Sequence, residues 1–258
     1  MKHIYKFSIV LLTVFTFIGC NVDDDDSVTV LPMKELTASL SQQVDVIRIA
    51  NDATSYDLVI NFSEALPSYS TIEYSLDGGA TTTSSASSGD NTLVIPIAFD
   101  EDKFYRDVVL SDFIVVNAAA RRFSTSITGN SSLRIARQGT IFAAPGSVEI
   151  SVTWSNPAKD LDVFLVTGDQ DFGGVLIDDS QGTTSTEQVV LPADQEGVFS
   201  LFMYEWSSDY PVDYEINYVF EDGQVLSFDS NITSDSFQFT MSKSNDGAQM
   251  ICYINKIE

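Results

Sequence analysis

Histidine and cysteine are nearly missing from this chain of 258 residues, which contains one histidine and two cysteines. The histidine, His3, lies in an N-terminal segment that we expect to be removed, so the mature chain cannot perform Ser-His-Asp or Cys-His catalysis. The common zinc sites are excluded for the same reason. We therefore expect a protein that is not an enzyme and that uses neither zinc nor a nucleotide as cofactor.

Basic residues are also scarce, because 13 lysines and arginines face 37 aspartates and glutamates, for a formal net charge of −24. Such a charge argues against nucleic acid as a partner. Hydrophobic residues make up 44% of the chain, enough for a substantial core, so intrinsic disorder is not expected. Most of the acidic surplus follows Ile141, where it serves solubility or supplies the carboxylates of calcium sites.

The first residues have the layout of a secretory signal peptide, with Lys2 and Lys6 before an apolar run over residues 7–18. The run ends at Gly19-Cys20, and here the chain resembles bacterial lipoproteins, whose cysteine is lipidated after cleavage. We expect residues 1–19 to be the signal peptide and Cys20 to carry the lipid anchor. The alternative is an ordinary signal peptide with an incidental cysteine. With Cys20 lipidated, Cys252 is left without a disulfide partner.

Four aspartates at positions 23–26 follow the anchor closely within a predicted tether of residues 20–33. Their mutual repulsion keeps such a tether extended and solvated. Acidic residues at this place also resemble the export tag of surface-displayed lipoproteins in some Gram-negative bacteria; a plain spacer is the alternative. We expect the protein to be anchored in the outer membrane and exposed at the cell surface.

The rest of the chain reads as short strands separated by turns. Alternating or apolar runs occur at YDLVINF, TIEYSL, TLVIPIAF, SVEISVTW, LDVFLVT, EQVVLP, VFSLFMYEW, DYEINYVF, SFQFTM and QMICYINKI. Gly78-Gly79, the Ser/Thr-rich tract 81–88 and Gly129-Asn130 are predicted as turns. The predicted fold class is all-β, with two tandem β-sandwiches of immunoglobulin-like or jelly-roll-like type over residues 34–142 and 143–258.

Residues 55–135 weakly resemble a Calx-beta domain, through "YDLVINFSEALPSYSTIEYSLDGGATTT" and the later "DEDKFYRDVVLSDFIVV". A generic immunoglobulin-like sandwich is the alternative for this half. Residues 147–223 resemble bacterial pre-peptidase C-terminal domains, through "VTWSNPAKDLDVFLV", a Gly-Gly turn followed by acids, and "VDYEINYVFEDG". That resemblance implies a noncatalytic accessory module, and some such modules bind calcium.

Two acidic residues of the C-terminal half stand two positions apart, Asp160 and Asp162. On an extended strand they project to the same side, on the face that continues as Phe164 and Val166. If the Gly-Gly hairpin folds back beside this strand, further carboxylates become available, and calcium needs six to eight oxygen ligands. The candidate calcium ligands are Asp160, Asp162, Asp178, Asp179 and Glu187. The alternative is that all five face solvent.

The segment MYEWSSDYPVDY carries several aromatic residues near a strand end. Aromatic rings at such a place either cover the core or form a flat platform on which a sugar ring stacks. Tyr204, Trp206, Tyr210 and Tyr214 are the candidate platform, and the flanking Glu205 is a candidate hydrogen-bonding partner for sugar hydroxyls. A glycosidase with two carboxylates is the weakest interpretation. We expect a surface-anchored binding or structural lipoprotein, with or without calcium, whose partner is a glycan or another surface protein; the alternative is a carbohydrate-binding module that presents glycan to a partner enzyme or transporter.

Overall fold

The computed structural model describes residues 32–257, so the predicted signal peptide, the lipidated Cys20 and the aspartate run lie outside the described residues. Within that range all regular elements are β-strands, which confirms the predicted all-β class. The described part holds no helix long and apolar enough to cross a membrane. The strands form four sheets, which pack in pairs around two separate hydrophobic cores.

The N-terminal sandwich consists of nine strands. They are β1 (Lys34–Leu40), β2 (Val46–Ile49), β3 (Ser55–Phe62), β4 (Ser70–Leu76), β5 (Thr82–Ala86), β6 (Thr92–Ala98), β7 (Tyr105–Val115), β8 (Phe123–Ile127) and β9 (Ser132–Arg137). One sheet has the order β6-β3-β1-β8 and the other the order β2-β9-β7-β4-β5. The prediction of a turn over the whole tract 81–88 was wrong. That tract contains the edge strand β5, whose β-branched threonines suit a pleated ladder with β4.

The C-terminal sandwich consists of ten strands. They are β10 (Thr140–Ala143), β11 (Val148–Trp154), β12 (Leu161–Thr167), β13 (Leu176–Ser180), β14 (Thr186–Leu191), β15 (Gly197–Glu205), β16 (Val212–Phe220), β17 (Val225–Ile232), β18 (Ser236–Asn245) and β19 (Met250–Lys256). A six-stranded sheet, β10-β19-β18-β15-β12-β13, faces a four-stranded sheet, β14-β11-β16-β17. Because β10 pairs with β19, this sandwich starts at Thr140, slightly before the predicted boundary.

Strand alternation builds the C-terminal core as the sequence predicts for β11. Val148, Ile150, Val152 and Trp154 are all buried on one face of this strand. The indole nitrogen of Trp154 donates to the carbonyl of Lys159 at 2.9 Å, so the buried ring keeps a hydrogen-bond partner. This bond also holds the start of β12, the strand that carries Asp162.

The two sandwiches contact each other through side chains of the N-terminal sandwich that pack on rings of β10 and β19. The ring of Phe104 stacks on that of Tyr253 with centroids 4.2 Å apart, and the Arg134 guanidinium lies 4.2 Å from the centroid of Phe142. The amide of Ile254 donates to the carbonyl of Gly139 at 3.0 Å. These contacts set the N-terminal loop at Asn51 and Asp52 beside the six-stranded sheet, where both line a shared cleft.

Candidate functional site: an aromatic strip beside an acidic cluster

The outer face of the six-stranded sheet carries aromatic residues because β12 and β15, which pair with each other, both place aromatic side chains on that face. In β15, Leu201 and Met203 point into the core, whereas Phe202 and Tyr204 lie on the opposite face. The register pairs Phe202 with Phe164 and Tyr204 with Asp162 on β12. Directly paired residues share a face, so aromatic and acidic groups meet on the solvent side of the sheet.

Six aromatic rings follow one another on this face and form what we call the aromatic strip. Its members are Trp206, Tyr204, Phe164, Phe202, Phe172 and Phe237. The rings of Tyr204 and Phe164 stack with centroids 5.8 Å apart and planes 12° apart. Adjacent centroids along the strip lie 4.7–6.4 Å apart, the usual range for aromatic pairs.

A loop over residues 168–174 places Phe172 in the strip from outside the sheet. Its ring contacts Phe237 with centroids 4.7 Å apart and meets Phe202 edge-on at 5.3 Å. The loop is held by Ser200, whose hydroxyl donates to the Gly168 carbonyl and accepts from the Gln170 amide, both at 2.8 Å. The strip is therefore completed by a segment with its own anchoring hydrogen bonds.

The strip is open to solvent at Trp206, its first ring, and at Phe172, whereas its last ring, Phe237, is buried. Trp206 is 69% exposed and Phe172 is 79% exposed, while the rings between them are partly covered by one another. A depression of about 220 Å³ lies over the strip, lined almost entirely by apolar atoms, with Asp171 at its rim. Large apolar side chains exposed next to one another mark an interaction surface rather than an ordinary stretch of protein exterior.

Of the predicted ligand residues, the structure brings Tyr204 and Trp206 together in the strip, with centroids 6.3 Å apart. Tyr210 lies outside it, since its hydroxyl accepts from the Glu205 amide at 2.8 Å and donates to Asp235. Tyr214 is buried in the core, where its hydroxyl donates to Gln238 at 2.9 Å. The strip thus contains two of the four aromatic residues predicted to form the platform.

Glu205 is buried, and both of its carboxylate oxygens accept internal hydrogen bonds. The Ser207 hydroxyl donates at 2.8 Å to one oxygen and at 2.9 Å to the other, and the Asp209 amide donates at 2.6 Å. Burial raises the pKa of this carboxyl, but the hydrogen bonds and the charge of Lys159 outweigh it, so the pKa is lowered overall. Its position fixes the turn after β15.

An acidic cluster adjoins the strip at Asp162, which is only 3% exposed. Burial raises the pKa of Asp162, and the charges of Asp160, Glu187 and Asp179 raise it further, while a hydrogen bond with Tyr204 lowers it in part. The same hydrogen bond, with desolvation, raises the pKa of the Tyr204 phenol to about 12. Strip and cluster are therefore joined through Tyr204.

Three of the other predicted calcium ligands, Asp178, Asp179 and Glu187, are already engaged in hydrogen bonds. Glu187 is buried and accepts from Ser180 and from the Gly182 amide at 3.0 Å. Asp178 accepts from the Val190 amide at 2.7 Å, and Asp179 accepts from the Gln181 side chain at 2.5 Å. Among residues 32–257 no group of three or more acidic, histidine or cysteine side chains stands close enough to hold a metal ion.

The sequence did not lead us to predict four residues of the strip as ligand residues, namely Phe164, Phe172, Phe202 and Phe237. Phe202 stands two residues before Tyr204 in LFMYEW, and this period of two was the signal available for it. The same period assigns Glu205 to the face opposite Tyr204. Phe164 was placed on the correct face beside Asp162 but was not connected with the aromatic segment. Phe172 and Phe237 had no local signal, because a loop and a distant strand bring them in.

No protein-family model matches this sequence, and no curated protein matches it. Among solved structures, the apo-form Calx CBD1 domain is similar over 40% of this chain and 97% of its own, with 10% identity and a TM-score of 0.30. CBD12 from CALX1.2 covers 72% and 83%, with 12% identity and a TM-score of 0.30. A tetra-tandem repeat of a large adhesion protein covers 86% and 63%, with 11% identity and a TM-score of 0.22. The chain is thus weakly similar to Calx-beta calcium-binding domains, and similarity of this degree carries no functional argument.

Proposed function

We propose that this protein is a noncatalytic carbohydrate-binding protein whose binding surface is the aromatic strip. The observation that carries the proposal is a set of six contacting rings on the outer face of one sheet, of which Trp206 and Phe172 are exposed. The apolar faces of sugar rings stack on such aromatic surfaces, while their hydroxyls need polar partners at the edge. Asp171 provides carboxylate oxygens there.

The proposal is tested by binding of the purified protein to a glycan array and to insoluble polysaccharides. Wild type is expected to bind, and Trp206→Ala and Phe172→Ala are each expected to weaken binding by about tenfold, the value of one stacking contact. Tyr69→Ala is the matched control, since Tyr69 is an exposed aromatic residue of the N-terminal sandwich, 52% exposed. Absence of glycan binding by wild type, or equal loss in the control, contradicts the proposal.

We further propose that Cys20 is lipidated and that the acidic tether presents both sandwiches at the surface of the outer membrane. The order of basic residues, apolar run, Gly19 and Cys20 supports this proposal. Labelling of cells with a radioactive fatty acid is expected to mark the wild-type protein and not Cys20→Ser. Protease added to whole cells is expected to digest wild type, and replacement of residues 23–26 by alanine is expected to protect it.

Calcium binding at the acidic cluster is a second proposal, favoured by one specific observation. Within the described residues, Oδ1 of Asp160 is buried and has no hydrogen-bond partner. A buried carboxylate oxygen without a partner costs free energy, and a cation would supply the missing interaction. Asp160, Asp162 and Asp179 are hard oxygen donors of the kind calcium takes, and they would have to approach one another further to share an ion.

Thermal unfolding in EDTA and in millimolar calcium tests the second proposal. Calcium at a hundredfold excess over Kd would stabilise the native state by about 2.7 kcal/mol, which is roughly 5–10 °C for a chain of this size. The shift is expected to vanish in Asp160→Asn/Asp162→Asn and to persist in the control Glu149→Gln/Asp229→Asn, which changes two exposed acids elsewhere. Equal midpoints with and without calcium in wild type would remove the proposal.

A further inference from the structure

The depression over the aromatic strip is the first of three that adjoin one another on the C-terminal sandwich. The second, of about 490 Å³, shares the side chains of Phe172 and Phe237 with the first. The third, of about 870 Å³, shares Gln170 and Ile257 with the second. Side chains that line two depressions show that these depressions lie next to one another. We call the three together the groove.

The chemistry of the groove changes along its course. The first depression is aromatic, whereas the second is lined mainly by amides, hydroxyls and a carboxylate, including Asn231, Thr233 and Asp235. The third combines the half-buried ring of Tyr253 with Asn255 and Lys256. A repeating chain of sugar rings presents both apolar faces and hydroxyl edges, so it finds matching partners in all three depressions.

The N-terminal sandwich contributes to the far end of the groove. Asn51 and Asp52 line the third depression from the loop between β2 and β3. Oδ1 of Asn51 accepts from the Gly139 amide at 3.1 Å, which holds the loop against the first residues of the C-terminal sandwich and leaves the Asn51 NH₂ group able to donate. The third depression is therefore complete only when both sandwiches are in place.

Charge restricts the ligand that the groove can take. Its lining includes four carboxylates, Asp52, Asp169, Asp171 and Asp235, against one ammonium group, Lys256. The whole chain has a formal net charge of −24. A polyanionic polysaccharide would meet repulsion along the groove, while an uncharged one would not, and carboxylate oxygens accept hydrogen bonds from its hydroxyls.

We propose that the groove binds an extended, uncharged polysaccharide, with the aromatic strip at one end and the cleft between the two sandwiches at the other. This inference rests on the proposed carbohydrate-binding function and deepens it by naming the ligand class and the length of the site. Affinity should rise with the number of sugar units until the chain reaches the third depression. Only the longer oligosaccharides should depend on residues of the N-terminal sandwich.

Calorimetric titration of the purified protein with soluble glucans, xylans and mannans, followed by oligosaccharides of increasing length from the polymer that binds, tests the inference. Asp52→Ala/Asn255→Ala is expected to weaken binding of the longest oligosaccharides by on the order of tenfold and to leave the disaccharide unchanged. Trp206→Ala is expected to weaken all of them. Polygalacturonate is the polyanionic probe and is expected not to bind.

Each of the other possible outcomes contradicts one specific part of the inference. Binding that does not depend on length, or that the double variant leaves intact, removes the extended groove and keeps carbohydrate binding at the strip. Binding of polygalacturonate as tight as that of the neutral polymer removes the charge argument for the ligand class. If no polysaccharide binds, the proposed function and the groove fall together. Tyr69→Ala again reports whether loss of any exposed aromatic residue has the same effect.

Discussion

Asp162 is a carboxylate on the outer face of the C-terminal sandwich whose surroundings disfavour its charged form. It is buried, three other carboxylates raise its pKa by their charge, and the phenol of Tyr204 is its hydrogen-bond partner. A raised pKa means that the folded protein holds this proton more tightly than the unfolded chain does. At neutral pH the ionised Asp162 therefore lowers the free energy of unfolding.

Asp162→Asn is expected to raise the midpoint of thermal unfolding at pH 7 in EDTA, because the neutral amide removes the repulsion and still accepts from Tyr204. The gain should shrink as the pH falls through the raised pKa of Asp162, since wild type then becomes protonated and loses the same repulsion. Unfolding midpoints of both proteins measured between pH 4 and about pH 8 check the sign. A gain that stays constant with pH, or a loss at pH 7, would contradict it.

The loop over residues 168–174 is the element on which the aromatic strip depends. Gly174 permits its return to β13, because a Cβ at that position would lie 2.0 Å from the carbonyl oxygen of Thr167 and 3.0 Å from that of Asp171. Both obstacles are backbone atoms, which cannot move aside as a flexible side chain does. The glycine thus fixes the path that lays Phe172 on Phe202 and Phe237.

Gly174→Ala is expected to displace the loop and lift Phe172 from the strip without unfolding the core. Hydrogen exchange of the amides of residues 168–176 should become faster, while exchange in β11 and β16 stays slow. Gly173→Ala is the neighbouring control, since its Cβ would meet only the Asp171 side chain, at 3.1 Å. Equal protection of the loop in wild type and in Gly174→Ala would show that the glycine is not required.

At the level of elements, the period-two pattern predicted most strands, and it was sufficient for β11, whose four inward residues are all buried. It was not sufficient for β5, because this edge strand of serines and threonines carries little hydrophobic alternation. The strip itself could be predicted only in part. Phe202 and Tyr204 share a strand, but Phe237 joins them through the pairing of β15 with β18, which no local pattern encodes.

At the scale of the whole molecule, Arg134 couples the two sandwiches. Its guanidinium donates to Asp107 at 2.6 and 2.8 Å within the N-terminal sandwich. Its plane also lies 4.2 Å from the ring centroid of Phe142 on β10, and Nη1 reaches Gln249 at 3.4 Å. Arg134 thus makes a two-bond ion pair with Asp107 in the N-terminal sandwich and a cation–π contact with Phe142 in the C-terminal sandwich.

Arg134→Ala is expected to cost on the order of 1–3 kcal/mol of coupling between the sandwiches. Differential scanning calorimetry should then resolve two unfolding transitions in place of a single cooperative one. Arg106→Ala is the matched control, because Arg106 pairs with Asp77 and Asp100 inside the N-terminal sandwich. A single transition in Arg134→Ala, or separate transitions already present in wild type, would show that this side chain does not couple the two units.

The pairing of β10 with β19 imposes an order in time on folding, because a chain is synthesised from its N-terminus. The nine strands of the N-terminal sandwich end at Arg137, so all of its partners have emerged before β10 does. The six-stranded sheet, by contrast, can be completed only when β19 arrives beside β10, after every other strand of that sandwich has emerged. Until β19 arrives, the six-stranded sheet is incomplete and the apolar side chains of the C-terminal half lack part of their cover, so this half is the more exposed to aggregation while the chain is being made.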